Sequence, residues 1–74
     1  MSENVSVRLN IVVNGEARSV PAGATVAQLL DSLAIHGGRV AIERNLQILS
    51  RADWAATLVA ESDRYEIVQF VGGG

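Results

Sequence analysis

Between residues 5 and 13 the odd positions carry Val5, Val7, Leu9, Ile11 and Val13, while Ser6, Arg8 and Asn10 sit between them. A period of two places these five side chains on one face, which is the pattern of a strand buried on one side. Asn14-Gly15 follows at once. Both central residues of a type I′ turn need φ > 0, which Asn and Gly reach at low cost, so the chain folds back into a hairpin with residues 17–20 as the return strand. A two-stranded hairpin with one apolar face is not stable alone in water and needs a cover. Pro21-Ala22-Gly23 breaks the return strand, and Thr25 with Gln28 then makes a T-x-x-Q capping box that opens a helix. Val26, Leu29, Leu30 and Leu33 fall at i, i+3, i+4 and i+7, a single stripe that can lie on the hairpin. Gly37-Gly38 is expected to end this helix, since a C-terminal cap tolerates positive φ best at glycine.

Residues 40–43 read as a third strand, and residues 47–49 as a shorter one after a turn at Arg44-Asn45. Ser50 is expected to cap a brief helical turn through Ala52, Asp53 and Trp54. Ser62-Asp63 marks a turn before the final strand, 65–71. Strand, strand, helix, strand, short strand, turn, strand is an α+β arrangement with the helix on one sheet face. Seventy-four residues hold one core, and the apolar share of 49% against 19% charged is that of a folded domain, here residues 1–71, followed by a flexible tail at 72–74. A domain of this size buries only around 60% of the surface of its unfolded chain, which leaves no room for a deep internal site. Function is therefore expected on the surface.

The absence of cysteine removes disulfides, thiolate nucleophiles and zinc sites that need sulfur. His36, the one histidine, has no second histidine or cysteine as a metal partner and is expected to cap the helix end or face solvent. A net charge of −2 gives no electrostatic footprint for a phosphate backbone, so nucleic acid is not an expected partner. The first residues, MSENVSV, lack the apolar run of a signal peptide, and no stretch reaches 18 apolar residues, so a cytoplasmic protein without membrane contact is expected.

The sharpest feature is Val71-Gly72-Gly73-Gly74, where a strand runs into three glycines. Without Cβ, such a tail can enter a channel too narrow for side chains, and four extended residues reach about 13 Å. The Gly74 carboxylate can thus enter a partner's active site while the folded body stays outside. Its pKa near 3.5 makes it an anion and a poor electrophile at neutral pH, so acyl chemistry there needs activation, most simply as an acyl-adenylate.

The β-grasp order of elements with a C-terminal Gly-Gly resembles the ubiquitin-like superfamily. The stretches Val40-Ala41-Ile42-Glu43-Arg44-Asn45, Ser50-Arg51-Ala52-Asp53-Trp54-Ala55, Asp63-Arg64-Tyr65-Glu66-Ile67-Val68 and Phe70-Val71-Gly72-Gly73-Gly74 are similar to the sulfur carriers of thiamine biosynthesis, the ThiS family. Asn14-Gly15 and Thr25-Val26-Ala27-Gln28-Leu29-Leu30 also sit where that family has its hairpin turn and helix start. Ser50 stands where the family commonly has proline, and Ser62 where it commonly has glycine before the Asp. The resemblance implies a β-grasp fold, a mixed four- to five-stranded sheet with one main helix packed on one face. It also implies that the protein is not an enzyme but a co-substrate. A ThiF-type adenylyltransferase would adenylate Gly74 with ATP, a sulfur donor protein would supply sulfur to replace AMP, and a ThiG-type thiazole synthase would receive sulfur from the thiocarboxylate. No cofactor would be bound by the chain itself.

Two features of composition fit this reading. A sulfur carrier without cysteine cannot use a persulfide and must load its terminus, and all six basic residues are arginine, so no lysine amine is present to attack an activated terminus. A genome biased toward arginine codons would give the same six arginines. Glu66, Val68 and Phe70 share a strand face opposite Tyr65 and Ile67, and a charged Glu66 suggests that this face is open. Val68, Phe70 and Val71 are then the candidate partner-binding surface, beside Gly72 and Gly73 as the tail for the partner's active site and Gly74 as the sulfur-carrying terminus. Asp53, Glu61, Asp63 and Glu66 come with no orienting base and are expected to form a solvated face, and Trp54 is expected to anchor its loop on the core. Other recipients of the same tail chemistry are molybdopterin or amino-acid biosynthesis and conjugation as a small ubiquitin-like modifier. A non-catalytic β-grasp interaction module with inert glycines is the reading from another class.

Overall fold

The hairpin forms where the alternation and its turn demand it, in a computed structural model that describes residues 7–35 and 38–70. Strands β1 (Arg8–Val13) and β2 (Glu16–Pro21) pair antiparallel from Arg8 with Pro21 to Val13 with Glu16. Both turn residues take positive φ, Asn14 at 50° and Gly15 at 82°. Ile11 and Val13 are buried and Leu9 packs against them, but Val7 lies before the strand and is exposed, so the apolar stripe begins at Leu9. Val5 lies outside the described residues.

Helix α1 (Val26–Ser32) starts with the full capping box. Thr25 Oγ1 accepts from the Gln28 N–H at 3.1 Å, and Gln28 Oε1 accepts from the Thr25 N–H at 2.9 Å. The remaining first-turn donors are also used, since Val26 N–H donates to Thr57 and Ala27 N–H to Trp54. Val26, Leu29 and Leu30 are buried and Leu33 is half-buried, as the stripe requires.

The helix ends earlier than its glycines suggest. Leu33 is the C-cap, and Ala34 takes the left-handed conformation with φ 60°. Ile35 N–H donates to the Leu30 carbonyl and Ala34 N–H to the Asp31 carbonyl, both at 3.0 Å, which is the paired bonding of a Schellman motif. Ile35 then packs on the same core that holds Leu30, and this apolar contact outweighs the poor fit of alanine to positive φ. Gly38, at φ 67°, instead turns the chain into the next strand, while His36 and Gly37 lie outside the described residues. Left-handed backbone costs a residue with Cβ about 1–2 kcal/mol, partly offset by the extra freedom glycine has when unfolded. Ala34→Gly is therefore expected to stabilise the fold by about 0.5–1 kcal/mol, measurable in urea melts.

Strands β3 (Arg39–Arg44) and β4 (Gln47–Ile48) follow, joined by Asn45 and Leu46 at φ 52° and 72°. This turn sits one residue later than Arg44-Asn45 because Arg44 stays in the ladder, paired with both Gln47 and Tyr65. A short 3-10 turn, Arg51–Asp53, comes next, and Ser50 precedes it without a side-chain capping bond. Trp54 does anchor the loop: it is buried, its Nε1 donates to the Leu49 carbonyl at 3.1 Å, and the Arg51 guanidinium lies 4.7 Å from its ring centre.

Strand β5 (Arg64–Phe70) enters the middle of the sheet, parallel to β1 and antiparallel to β3. The strand order is β2-β1-β5-β3-β4, a mixed five-stranded sheet with α1 against one face. Ile11, Val13, Val20, Ile42, Tyr65 and Ile67 meet the helix stripe there. Because Leu30 is nearly fully buried in this contact, Leu30→Ala should cost about 2–5 kcal/mol in a denaturant melt.

Candidate functional site

In β5 the residues alternate between two environments. Tyr65 and Ile67 face the helix and are buried, whereas Glu66, Val68 and Phe70 point to the sheet face opposite α1. Val68 and Phe70 are each about half exposed, at 50% and 53%. The register sets their neighbours: Val68 stands opposite Ala41, Phe70 opposite Arg39, and Glu66 opposite Glu43, which itself faces Ile48 of β4. Cross-strand partners share a face, so Ala41, Ile48, Val68 and Phe70 form one apolar surface with two carboxylates set into it. Between Ala41, Glu43, Ile48, Glu66 and Val68 the surface dips into a shallow hollow of about 290 Å³. The open face expected around Val68 and Phe70 is thus present. Ile48, 74% exposed, was missed by the sequence reading, because its place beside Val68 depends on cross-strand pairing. Val71, Gly72, Gly73 and Gly74 follow Phe70 in the sequence and lie outside the described residues.

What holds β5 in register is a buried charge. Asp63 was expected on a solvated face, but it is 4% exposed and collects four donors. Its Oδ2 accepts from Tyr65 Oη at 2.7 Å and from Arg44 Nε and the Ala60 N–H at 2.9 Å, and its Oδ1 accepts from Asn45 Nδ2 at 3.0 Å. Asn45 Oδ1 in turn accepts from the Arg64 N–H at 2.9 Å. Burial alone pushes the Asp63 carboxyl up, but the Ala60, Asn45, Tyr65 and Arg44 donors together hold it below its ordinary value. Burial and the bond to Asp63 push the Tyr65 hydroxyl up to about 12. Of the other acidic candidates, Asp53, Glu61 and Glu66 are exposed, and Glu61 accepts from the Asn10 N–H at 2.9 Å. The physical reason for the difference is position: the residue before β5 lies at the seam of β1, the β3–β4 turn and the loop at 58–60, where only a fully bonded carboxylate can be buried.

A second device fixes the other edge of β5. Asn14 Nδ2 donates to the Ile67 carbonyl at 3.1 Å and Asn14 Oδ1 accepts from the Ile67 N–H at 2.8 Å, while the Asn14 N–H donates to the Tyr65 carbonyl at 2.9 Å. The side-chain amide stands in for one more peptide of β1 after the chain has turned away. Asn14 is thus both the turn residue and a strand surrogate.

No helix among the described residues is long and apolar enough to cross a membrane.

Comparison with known proteins gives these features a context. The model of the ThiS family matches residues 11–74, from the first strand through the glycine tail. The sulfur carrier protein ThiS of Escherichia coli is 33% identical over 66 residues, covering 89% of this chain and 100% of that protein. A thiazole synthase of Paramagnetospirillum magneticum is 42% identical over 66 residues, which are 89% of this chain but 20% of that protein. A second thiazole synthase, from Magnetococcus marinus, is 39% identical, again over 20% of its length, so the chain spans about a fifth of these larger relatives. Among solved structures, the thiamine biosynthesis protein ThiS of Geobacter metallireducens superposes with a TM-score of 0.71 at 36% identity, covering 89% of this chain and 100% of that one. A match that takes in both the β-grasp body and the Gly72-Gly73-Gly74 tail places the chain in the ThiS family.

Proposed function

We propose that this protein carries sulfur for thiamine biosynthesis as a thiocarboxylate on Gly74, acting as a co-substrate and not as an enzyme. The observation that carries the reading is the extent of the family match, which runs through residue 74 and so includes the terminus where the chemistry would occur. A Gly74 carboxylate oxygen attacks the α-phosphorus of ATP in a ThiF-type adenylyltransferase, and pyrophosphate leaves. Hydrosulfide delivered by a sulfur donor protein then attacks the activated carbonyl through its sulfur, the C–O bond to AMP breaks, and a thiocarboxylate and a proton are left. ATP is bound by the partner. Phe70 ends the described part of β5, and the next four residues extended span about 13 Å, enough to pass Gly74 into an enclosed site while the sheet stays outside.

The thiazole synthase is the proposed recipient because stretches similar to this chain occur within two proteins named thiazole synthase. The open face of Ala41, Ile48, Val68 and Phe70 is the proposed docking surface for the enzymes that handle the tail, with Val71 as a further candidate contact outside the described residues. Intact-mass measurement with ATP, a purified ThiF-type adenylyltransferase and a sulfur donor should show the acyl-adenylate and then the thiocarboxylate. An unchanged mass would favour an inert interaction module. Affinity capture on a thiazole synthase, against a molybdopterin synthase large subunit or conjugated proteins, separates the possible recipients. Phe70→Ala should weaken binding to the adenylyltransferase or the synthase by about 1–3 kcal/mol while barely moving the melting curve, since Phe70 is half exposed and outside the core.

A further inference from the structure

Strand β5 loses its neighbour on one side before it ends. Asn45 N–H donates to the Arg64 carbonyl, which fixes the bonding phase between β3 and β5: the mutually bonded pairs are Glu43 with Glu66, Ala41 with Val68 and Arg39 with Phe70. Tyr65, Ile67 and Gln69 therefore aim their N–H and C=O groups away from β3, along the line of β1. Asn14 serves the first two, bonding the Tyr65 carbonyl through its main chain and both main-chain groups of Ile67 through its side chain. Gln69 comes next, and β1 has already turned back at Asn14. Among the described residues nothing bonds the main chain of Gln69 on this side. On the helix side of the same edge lies a hollow of about 260 Å³, floored by Leu33, Ile35 and Ile67, with Glu16 and Arg18 among its lining residues.

We propose that the adenylating enzyme lays an extended segment of its own along this edge, pairing with the main chain of Gln69 and placing an apolar side chain over Leu33, Ile35 and Ile67. The inference rests on the reading that Gly74 is adenylated, and it names how the enzyme grips the strand that delivers the tail. Three features specify the occupant. An outward N–H and C=O on one residue ask for another extended backbone, the chemistry of strand addition. The hollow beside them is floored by aliphatic side chains and asks for an apolar residue. Gly74 is five residues beyond Gln69, so an enzyme that encloses the terminus must pass this edge. Pairing there would extend the sheet and hold the last residues of β5 in one direction, which is what a tail read by position requires.

Amide hydrogen exchange by NMR on the full-length protein tests the pairing. The Gln69 N–H should exchange freely in the free protein and at least tenfold more slowly in the complex with a purified ThiF-type adenylyltransferase and ATP, while Ile67, already bonded, stays protected in both. Gln69→Pro removes the outward donor without removing a bond of the β3 ladder, and its restriction of Val68 to extended backbone suits a strand. That variant should bind the enzyme about five- to tenfold more weakly, the loss of one backbone bond, and Gln69→Ala should bind within about twofold of the parent. A complex that adenylates Gly74 with no added protection at Gln69 would overturn the pairing and leave the carrier function standing. Protection that grows with concentration of the free protein alone would overturn it too, by assigning the edge to a second copy. No adenylate on the parent protein would remove the carrier reading and this inference with it.

Discussion

Replacing Asp63 by alanine is expected to cost about 3–5 kcal/mol, a large part of the roughly 5–15 kcal/mol that holds a small domain together. The carboxylate is buried and satisfies Tyr65 Oη, Arg44 Nε, Asn45 Nδ2 and the Ala60 N–H at once. Removing it leaves these donors facing a hole that water reaches poorly. Arg44 keeps 29% of its side chain exposed and Asn45 and Ala60 are exposed residues, so these three can rehydrate and most of the cost falls on the buried Tyr65 hydroxyl. Asparagine is a sharper probe because it keeps the shape. Its amide nitrogen must face either the three donors at Oδ2 or Asn45 Nδ2, and Asn45 cannot flip without losing the Arg64 N–H. Asp63→Asn should therefore still cost about 1–3 kcal/mol by thermal or urea melting. A loss below about 0.5 kcal/mol for either variant would mean that the network does not hold β5.

The same network gives the pH dependence its sign. The folded Asp63 carboxyl titrates below its unfolded value near 3.8, so its contribution is complete above that value and drains away as pH falls through the folded one. Acid unfolding should be blunted in Asp63→Asn, which has no proton to take up there. The Tyr65 hydroxyl runs the other way: raised from 10.0 to about 12, its contribution is complete below pH 10 and is lost as pH climbs toward 12.

Deleting Gly74 should abolish adenylation altogether. The shortened chain still ends in a glycine carboxylate of the same chemical type, but its reach falls by about 3.5 Å. Reacting atoms must come within about 3–3.5 Å, so a displacement of that size takes the carboxylate away from the α-phosphorus. Chemistry would permit the reaction and position forbids it. Gly73→Leu makes the complementary demand, keeping length while adding a side chain where a narrow channel admits none. Both variants should melt like the parent and show no acyl-adenylate by intact mass. Normal thiocarboxylate formation on the Gly74-deleted chain would show that the terminus is not read by position, and the carrier proposal would lose its main physical support.

Much of the fold could be read from local chemistry. Asn14-Gly15, the Thr25–Gln28 box and the stripe of Val26, Leu29 and Leu30 are each decided within a few residues, by φ preference, by orphan donors at a helix start and by periodicity. The exposure of Val68 and Phe70 was legible for the same reason, because alternation against a charged Glu66 needs no distant partner. The glycine tail is legible in the sequence alone, and the activation proposed for it rests on the chemistry of a carboxylate.

Other features were settled only when distant segments met. Ala34, not a glycine, closes α1, because packing Ile35 on the core outweighs a local φ penalty. Asp63 reads as one more surface carboxylate until Arg44, Asn45 and Tyr65 converge on it from β3, its turn and β5. Ile48 joins Val68 because β3 pairs with β4 on one side and with the distant β5 on the other, and Asn14 becomes a surrogate strand for Ile67 across the length of the chain. That no described residue bonds the Gln69 main chain on the β1 side follows from how far β1 runs relative to β5. Which segments form was legible along the chain, because that depends on torsions, periodicity and functional groups of near neighbours. Burial, pairing and register decided which charges are held in the core and which edges stay open, since these are properties of neighbours brought together only by folding.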